Sequence, residues 1–333
     1  MKNTIKAIAL FSGGLDSRLA AILVARQGIK IVCYHFRTGF EHEKNAEQKL
    51  KEMKAFCEDR NLSYREIPLR EEALRVVCSP RFGHGRYLNP CVDCKILMLQ
   101  KTKERMEREG ASFVVTGEVL GQRPKSQHGP SLSTIERESG LEGMLLRPLS
   151  ARKFPPTIPE KKGWVDRELL CDFSGRTRKP QMELARELGV ENYPPPAGGC
   201  LLTDPRYSHR LRDLFEHPPF DMQDIELLKF GRHFRLSSRA KLVVARHQEE
   251  NERLLQLKKS DDRVFFPVSR KGPLGIGRGA FDPGTEELAS RIIIRYSKFP
   301  DTKALVIMEK AGGEKREFPV DSPSNQLLES LRI

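Results

Sequence analysis

The chain has 333 residues, enough for two or three domains, and its 38% hydrophobic and 31% charged residues are those of a globular protein. No run of eighteen apolar residues occurs and the first ten residues lack the apolar core of a signal peptide, so neither a membrane span nor secretion is expected, and a cytoplasmic location is. A net charge of +13 points to a polyanionic partner, RNA or DNA first, against the plainer reading of a basic solvated surface; seven cysteines, an odd number, favour thiol or metal chemistry over disulfides.

Residues 5–11 are an apolar run that stops at a glycine turn, the pattern of a buried strand. A helix is predicted from Asp16 to Gln27, with Leu19, Ile22 and Leu23 on one face. Residues 30–36 read as a second strand, 41–60 as a charged helix with Leu50, Met53 and Phe56 inward, and 63–69 as a third strand. A helix from Cys94 to Glu109 leads into a fourth strand at 112–118. Strands alternating with helices predict an α/β domain with a doubly wound parallel sheet, whose ligands bind beyond the carboxyl ends of the strands.

Residues 121–163 lose this periodicity and read as a long functional loop rich in Gly, Pro, Ser and Arg. Its basic residues, Arg123, Lys125, Arg147, Arg152, Lys153, Lys161 and Lys162, are either RNA phosphate contacts or a solvated surface. Order resumes near Trp164, with a short helix near Gln181 to Leu188 and a breaker cluster at 194–200. From Gly231 a small α+β unit is expected, with strands in HFRL, KLVVAR, VFFPV, ALVIME and KREFPV and helices in HQEENERLLQL and at 285–296. The glycine-rich stretch 272–279 reads as a loop; it opens no helix in a βαβ unit, so no second nucleotide site is expected there. The chain therefore divides into a nucleotide-binding domain (1–165), a connecting segment (166–228) and a small α+β domain (229–333).

The strongest chemical signal is Ser12-Gly13-Gly14-Leu15-Asp16-Ser17, between the first strand and the first helix. Two glycines let the backbone approach a phosphate, and the helix N-terminus aims free N–H groups at it. Ser12 and Ser17 add hydroxyl donors. The Gly-Lys-Ser/Thr ending of a Walker loop is missing, which suits a pyrophosphate that leaves. The motif resembles the SGGxDS signature of the PP-loop ATP pyrophosphatases, of the adenine nucleotide α-hydrolase-like fold. That resemblance implies that ATP is split to AMP and pyrophosphate while a carbonyl oxygen is adenylated. It also implies that Asp16 is catalytic and helps to hold Mg²⁺ on the phosphates.

The segment Asn89-Pro90-Cys91-Val92-Asp93-Cys94 precedes a helix, and Cys94 sits where the helix dipole favours a thiolate. Cys200 lies in Ala197-Gly198-Gly199-Cys200-Leu201-Leu202-Thr203, a glycine turn. Cys91, Cys94 and Cys200 are expected to converge at the sheet edge that carries the phosphate loop. Zinc would need a fourth ligand, and no second CxxC or CxxH is evident. A redox pair, an iron–sulfur cluster with one open iron and simple packing all stay open. Cys33, Cys57 and Cys78 read as packing residues, and nothing in the spacing of Cys171 argues for it as a fourth ligand.

Asn89 to Cys94 is similar to the NPxxxC segment of the MnmA-type tRNA 2-thiouridylases, with Cys94 and Cys200 at their two catalytic cysteines. Cys91 stands where that family has aspartate, a departure from a pure persulfide mechanism. Val115 to Gln122, Ser126-Gln127 and Leu146 to Leu149 resemble stretches of the ThiI-type 4-thiouridine synthases. On that match Thr116 and Gly117 join Ser12, Gly13, Gly14, Leu15, Asp16 and Ser17 as the nucleotide-binding set. A CxxC with one distant cysteine is the ligand pattern of the TtuA-type thiolases, which implies Cys91, Cys94 and Cys200 as ligands of a 4Fe-4S cluster. The alternative is a persulfide on Cys94 resolved by Cys200.

The likeness covers residues 5–205 and implies an ATP-dependent tRNA sulfurtransferase. The RNA-binding region and the rhodanese domain found in ThiI proteins are not recognised, so sulfur is expected from a separate donor, sulfide or a persulfide protein. Val243 to Arg246, Glu250 to Glu252 and Asp261 to Phe266 are similar to the NFACT-R RNA-binding domain, although Ala245, His247 and Pro267 depart from its pattern. The alternative for that unit is a packing or dimerisation domain, which would make the protein a homodimer. Competing functions are a PP-loop ligase acting on a small molecule and a non-catalytic RNA-binding protein.

Overall fold

The computed structural model describes residues 5–42, 46–195, 199–268, 272–297 and 304–333. The chain forms two compact units, Met1–Thr203 and Asp204–Ile333.

The first unit runs β1 (Lys6–Leu10), α1 (Leu15–Ala25), β2 (Lys30–Arg37), α2 (Ala46–Asp59), β3 (Ser63–Pro68), α3 (Arg70–Cys78), α4 (Cys91–Glu109), β4 (Phe113–Val115), α5 (Gly129–Ser139), β5 (Leu145–Leu146), α6 (Ile158–Lys161) and α7 (Lys179–Glu187). Its strands pair in the order β3-β2-β1-β4-β5, every pair parallel. Because side chains alternate along a strand, β1 feeds two cores. Ala7 and Ala9 pack with Leu19, Met53 and Ala185, from α1, α2 and α7. Ile8 and Leu10 pack with Val92, Leu99 and Ile135, from α4 and α5. The expected α/β doubly wound sheet is present. Its strand order reverses beside β1, so the crevice between the carboxyl ends of β1 and β4 is the topological switch point.

The segment 121–163 differs from its expected irregularity, since α5 occupies its middle. His128 caps the helix by accepting from the Ser131 N–H, Pro130 stands in the first turn, and Gly140 ends it at φ +66°. Serine and glycine masked a stripe of two buried residues, Leu132 and Ile135. Arg147 is also corrected. It is buried and ion-paired to Glu118 at 3.2 Å and Glu136 at 2.7 Å, so it is no phosphate contact.

The second unit runs α8 (Pro205–Glu216), α9 (Met222–Leu227), β6 (Arg232–Ser237), β7 (Ala240–Val244), α10 (Gln248–Gln256), β8 (Arg263–Pro267), β9 (Gly275–Gly279), α11 (Pro283–Arg295), β10 (Ala304–Glu309), β11 (Lys315–Val320) and α12 (Asn325–Leu331). Its sheet is antiparallel in the order β11-β10-β8-β9-β7-β6. The expected glycine loop is therefore largely a central strand. A Cβ at Gly275 would lie 2.6 Å from Ile293 Cδ1, and one at Gly277 would lie 2.7 Å from Phe281 and 2.8 Å from Phe265. These glycines make room for the rings and the helix stacked on the sheet.

Candidate active site at the switch point

The turn after β1 is built for an anion. Gly13 has φ +73°, and a Cβ there would strike the Met53 thioether. Gly14 precedes α1 in extended conformation, and no side chain caps that helix. Backbone donors at its N-terminus are thus left for a ligand. The Ser17 hydroxyl donates to the Gly14 carbonyl at 2.9 Å and lies 3.3 Å from the Ser12 hydroxyl. Leu15 is 1% exposed, so its side chain belongs to the core and only its backbone faces the loop.

Asp16 Oδ2 accepts from Gln122 Nε2 at 3.2 Å, while Oδ1 is buried with no hydrogen-bond partner among the described residues. Burial raises the Asp16 pKa, against the opposing pull of Arg178, Gln122 and Arg123. A half-buried carboxylate with one open oxygen fits Mg²⁺, which commonly binds through one protein carboxylate together with substrate phosphates.

The exit of β4 closes the other side. A Cβ on Gly117 would lie 2.6 Å from the backbone of Asp16 and Ser17, so this glycine lets two backbones touch. The Thr116 hydroxyl is spent on Glu118 Oε2 at 3.0 Å. Glu118 also takes Arg147 and stands 3.9 Å from Lys95, the residue after Cys94. Phosphate loop, β4 exit and α4 N-terminus are therefore contiguous. Arg18, unnoticed in the sequence, is buried and ties the Gly13 carbonyl to that of Asn192. A single arginine after the motif carries no spacing signal that would have revealed this.

Cys91 and Cys94 occupy the first turn of α4. Asn89 Nδ2 donates to Cys91 Sγ at 3.2 Å. Cys200 arrives from the far end of the unit. It forms an isolated bridge with Glu41, just past β2, while Leu201 N donates to the Phe40 carbonyl at 2.8 Å and Leu88 N to that of Leu202 at 3.4 Å. Of the turn before it, Ala197 and Gly198 lie outside the described residues. Burial raises the Cys94 thiol well above its ordinary pKa, and the neighbouring Cys200 and Cys91 thiols add to this. Cys200 is likewise pushed up to about 12, chiefly by burial, with Cys91 and Glu41 adding to the rise and a backbone hydrogen bond and Arg123 opposing it. The three thiols thus feel one another, and Arg123 acts on both Asp16 and Cys200.

Among the described residues, no group of three His, Cys, Asp or Glu is arranged to hold a metal ion. A four-iron cluster spreads its ligands wider than one ion does, because each thiolate binds a different iron. Three half-buried soft thiols suit such a cluster in chemistry. Cys33 and Cys57 are buried in the core, Cys78 is exposed, and Cys171 is half-buried.

Fold and loop define an α/β nucleotide-binding domain whose phosphate turn lacks a lysine. Residues 3–153 match the family described as thiamine biosynthesis protein (ThiI), and residues 231–330 match the NFACT protein RNA binding domain. The chain is 29% identical over 123 residues to a probable tRNA sulfurtransferase of Methanosarcina mazei, covering 35% of this chain and 29% of that protein. A probable tRNA sulfurtransferase of Methanothermobacter thermautotrophicus is 30% identical over 154 residues, covering 43% and 36%. The chain spans about a third of the length of these curated relatives. A solved 4-thiouridine synthetase–RNA complex with bound ATP aligns with a TM-score of 0.38 and 22% identity, over 56% of this chain and 51% of that one. No helix among the described residues is long and apolar enough to cross a membrane.

Proposed function

We propose that this protein is an ATP-dependent tRNA sulfurtransferase. Its phosphate turn and the N-terminus of α1 hold the β- and γ-phosphates of ATP, and Asp16 holds Mg²⁺ on them. A uridine carbonyl oxygen attacks the α-phosphorus, the α–β phosphoanhydride bond breaks, and pyrophosphate leaves. Sulfide then adds to the activated carbon, the C–O bond breaks, and AMP departs with the oxygen. Orientation and charge neutralisation at the turn lower the barrier of the first step.

The observation that carries this reading is the exit of β4, where Gly117 abuts the Asp16–Ser17 backbone and Glu118 stands 3.9 Å from Lys95, the residue after Cys94, so the glycine turn and the thiol-bearing helix meet there. Cys91, Cys94 and Cys200 would hold a 4Fe-4S cluster by three of its irons, and when bound it would supply sulfide at the fourth. The NFACT-type unit would bind the tRNA, and the sulfur donor would be a separate molecule.

The test is tRNA-dependent pyrophosphate release, followed by mass spectrometry of the tRNA nucleosides. The expected result is thiouridine from the wild type, and from Cys200→Ser pyrophosphate release without thiouridine. Pyrophosphate release that ignores tRNA would remove the reading. Iron-free protein fully active with a persulfide donor would remove the cluster and leave Cys94 as the sulfur carrier.

A further inference from the structure

Residues 79–90 belong to no helix or strand, yet the segment is closely held. Asp93 Oδ1 accepts from Arg81 N at 2.9 Å, and the same carboxylate takes Phe82 N at 3.2 Å. Lys125 Nζ donates to the Gly83 carbonyl at 2.8 Å, and His84 Nε2 lies 2.9 Å from that of Val77. Gly85 N donates to the Asn89 carbonyl at 2.8 Å; a Cβ at Gly85 would lie 2.7 Å from Asn89 Oδ1. Within this frame Tyr87 is held at φ +62°, a left-handed conformation that a bulky residue enters only under constraint. Such strain persists where surroundings impose it, and it gathers at binding sites.

Tyr87 is half-buried and Arg86 exposed, with the guanidinium 5.1 Å from the ring centroid. Among the described residues Arg86 has no carboxylate partner, unlike Arg81, which pairs with Glu138 at 2.5 Å. Among the described residues its donor fork makes no hydrogen bond. The next two residues tie this segment to the thiol-bearing ones: Leu88 N donates to the Leu202 carbonyl, two residues past Cys200, and Asn89 Nδ2 donates to Cys91 Sγ.

We infer that Arg86 and Tyr87 form an RNA clamp at the rim of the thiol site, the guanidinium on a phosphodiester beside the target uridine and the ring stacked on a base. This rests on the RNA-thiolation reading above. A guanidinium fork matches phosphate geometry, and an aromatic ring accepts any base. A uridine whose carbonyl must meet a nucleophile has to leave its stack, which exposes both groups to the clamp.

The full-length protein and an unmodified tRNA transcript are titrated by fluorescence anisotropy across a salt series. Arg86→Gln is expected to weaken binding about tenfold and to lower the slope of log K against log salt by about 1. Tyr87→Gly suits φ +62° and is expected to keep the wild-type melting temperature while weakening binding about tenfold. Both variants should bind ATP as the wild type does. Wild-type affinity and slope in both variants, beside a wild type that thiolates tRNA, would overturn the clamp alone. Variants that bind tRNA normally but no longer respond to a persulfide donor protein would also overturn it, giving the loop to that protein. A wild type that neither binds nor thiolates tRNA would overturn the reading beneath it.

Discussion

Buried polar atoms behave differently in the two units. In the first, Asp16 Oδ1, Asn89 Oδ1, Glu118 Oε1, Gln122 Oε1 and Arg178 Nε are buried without a hydrogen-bond partner among the described residues. These residues lie at or beside the phosphate turn and the thiols. In the second, Arg210 Nε and His233 Nδ1 also lack a partner among the described residues, but the buried carboxylates are matched. Glu286 takes Arg263 at 3.1 Å and Arg316 at 3.3 Å; Arg278 joins Asp262 at 2.6 Å to Asp224 at 2.7 Å. An unpaired buried polar atom costs free energy, so a group of them marks a place built for something absent from the chain itself. The matched network of the second unit is a scaffold.

The largest stability effect belongs to the scaffold. Arg278→Met should destabilise the second unit by about 3 to 5 kcal/mol, because it strips a counter-charge from two buried aspartates. Chemical denaturation followed by far-UV circular dichroism measures this, and ATP binding should not change. Asp16→Asn should do the reverse, lowering tRNA-dependent pyrophosphate release about 100-fold while leaving the melting temperature as it was or higher. A lower melting temperature with retained activity would make Asp16 structural.

A smaller effect is expected from Gly117→Ala, whose new methyl would push on the Asp16–Ser17 backbone. It should raise the KM for ATP about tenfold through the displaced turn, as steady-state kinetics would show. The smallest concerns pH. Burial lowers the folded-state pKa of Lys241 to about 8, against Asp213, which favours its charge. Above that value the folded chain binds fewer protons than the unfolded one, so stability should rise from about pH 8 towards 10.5. Lys241→Met should flatten this rise in a pH series of thermal melts.

Much of this was readable in one dimension. Apolar runs of strand length alternating with amphipathic helices dictated the parallel sheet, because that pattern buries its hydrophobic surface in few other ways. Ser12 to Ser17 announced the phosphate turn because close backbone approach demands glycine at set positions. Helix α5 and strand β9 were hidden for the opposite reason. Their serines and glycines suit loops locally, and only packing against Arg147, Phe265 and Phe281 makes them regular.

The sequence by itself therefore determined most of the element order of the parallel sheet, the glycine turn after β1 and the pairing of Cys91 with Cys94 at one helix start, each a property of neighbouring residues. Tertiary structure alone decided which distant groups meet: Gly117 against Asp16, Arg18 between Gly13 and Asn192, Lys95 near Glu118, and Cys200 bridged to Glu41. Those contacts depend on strand order and on how the chain crosses the sheet, which no local spacing encodes.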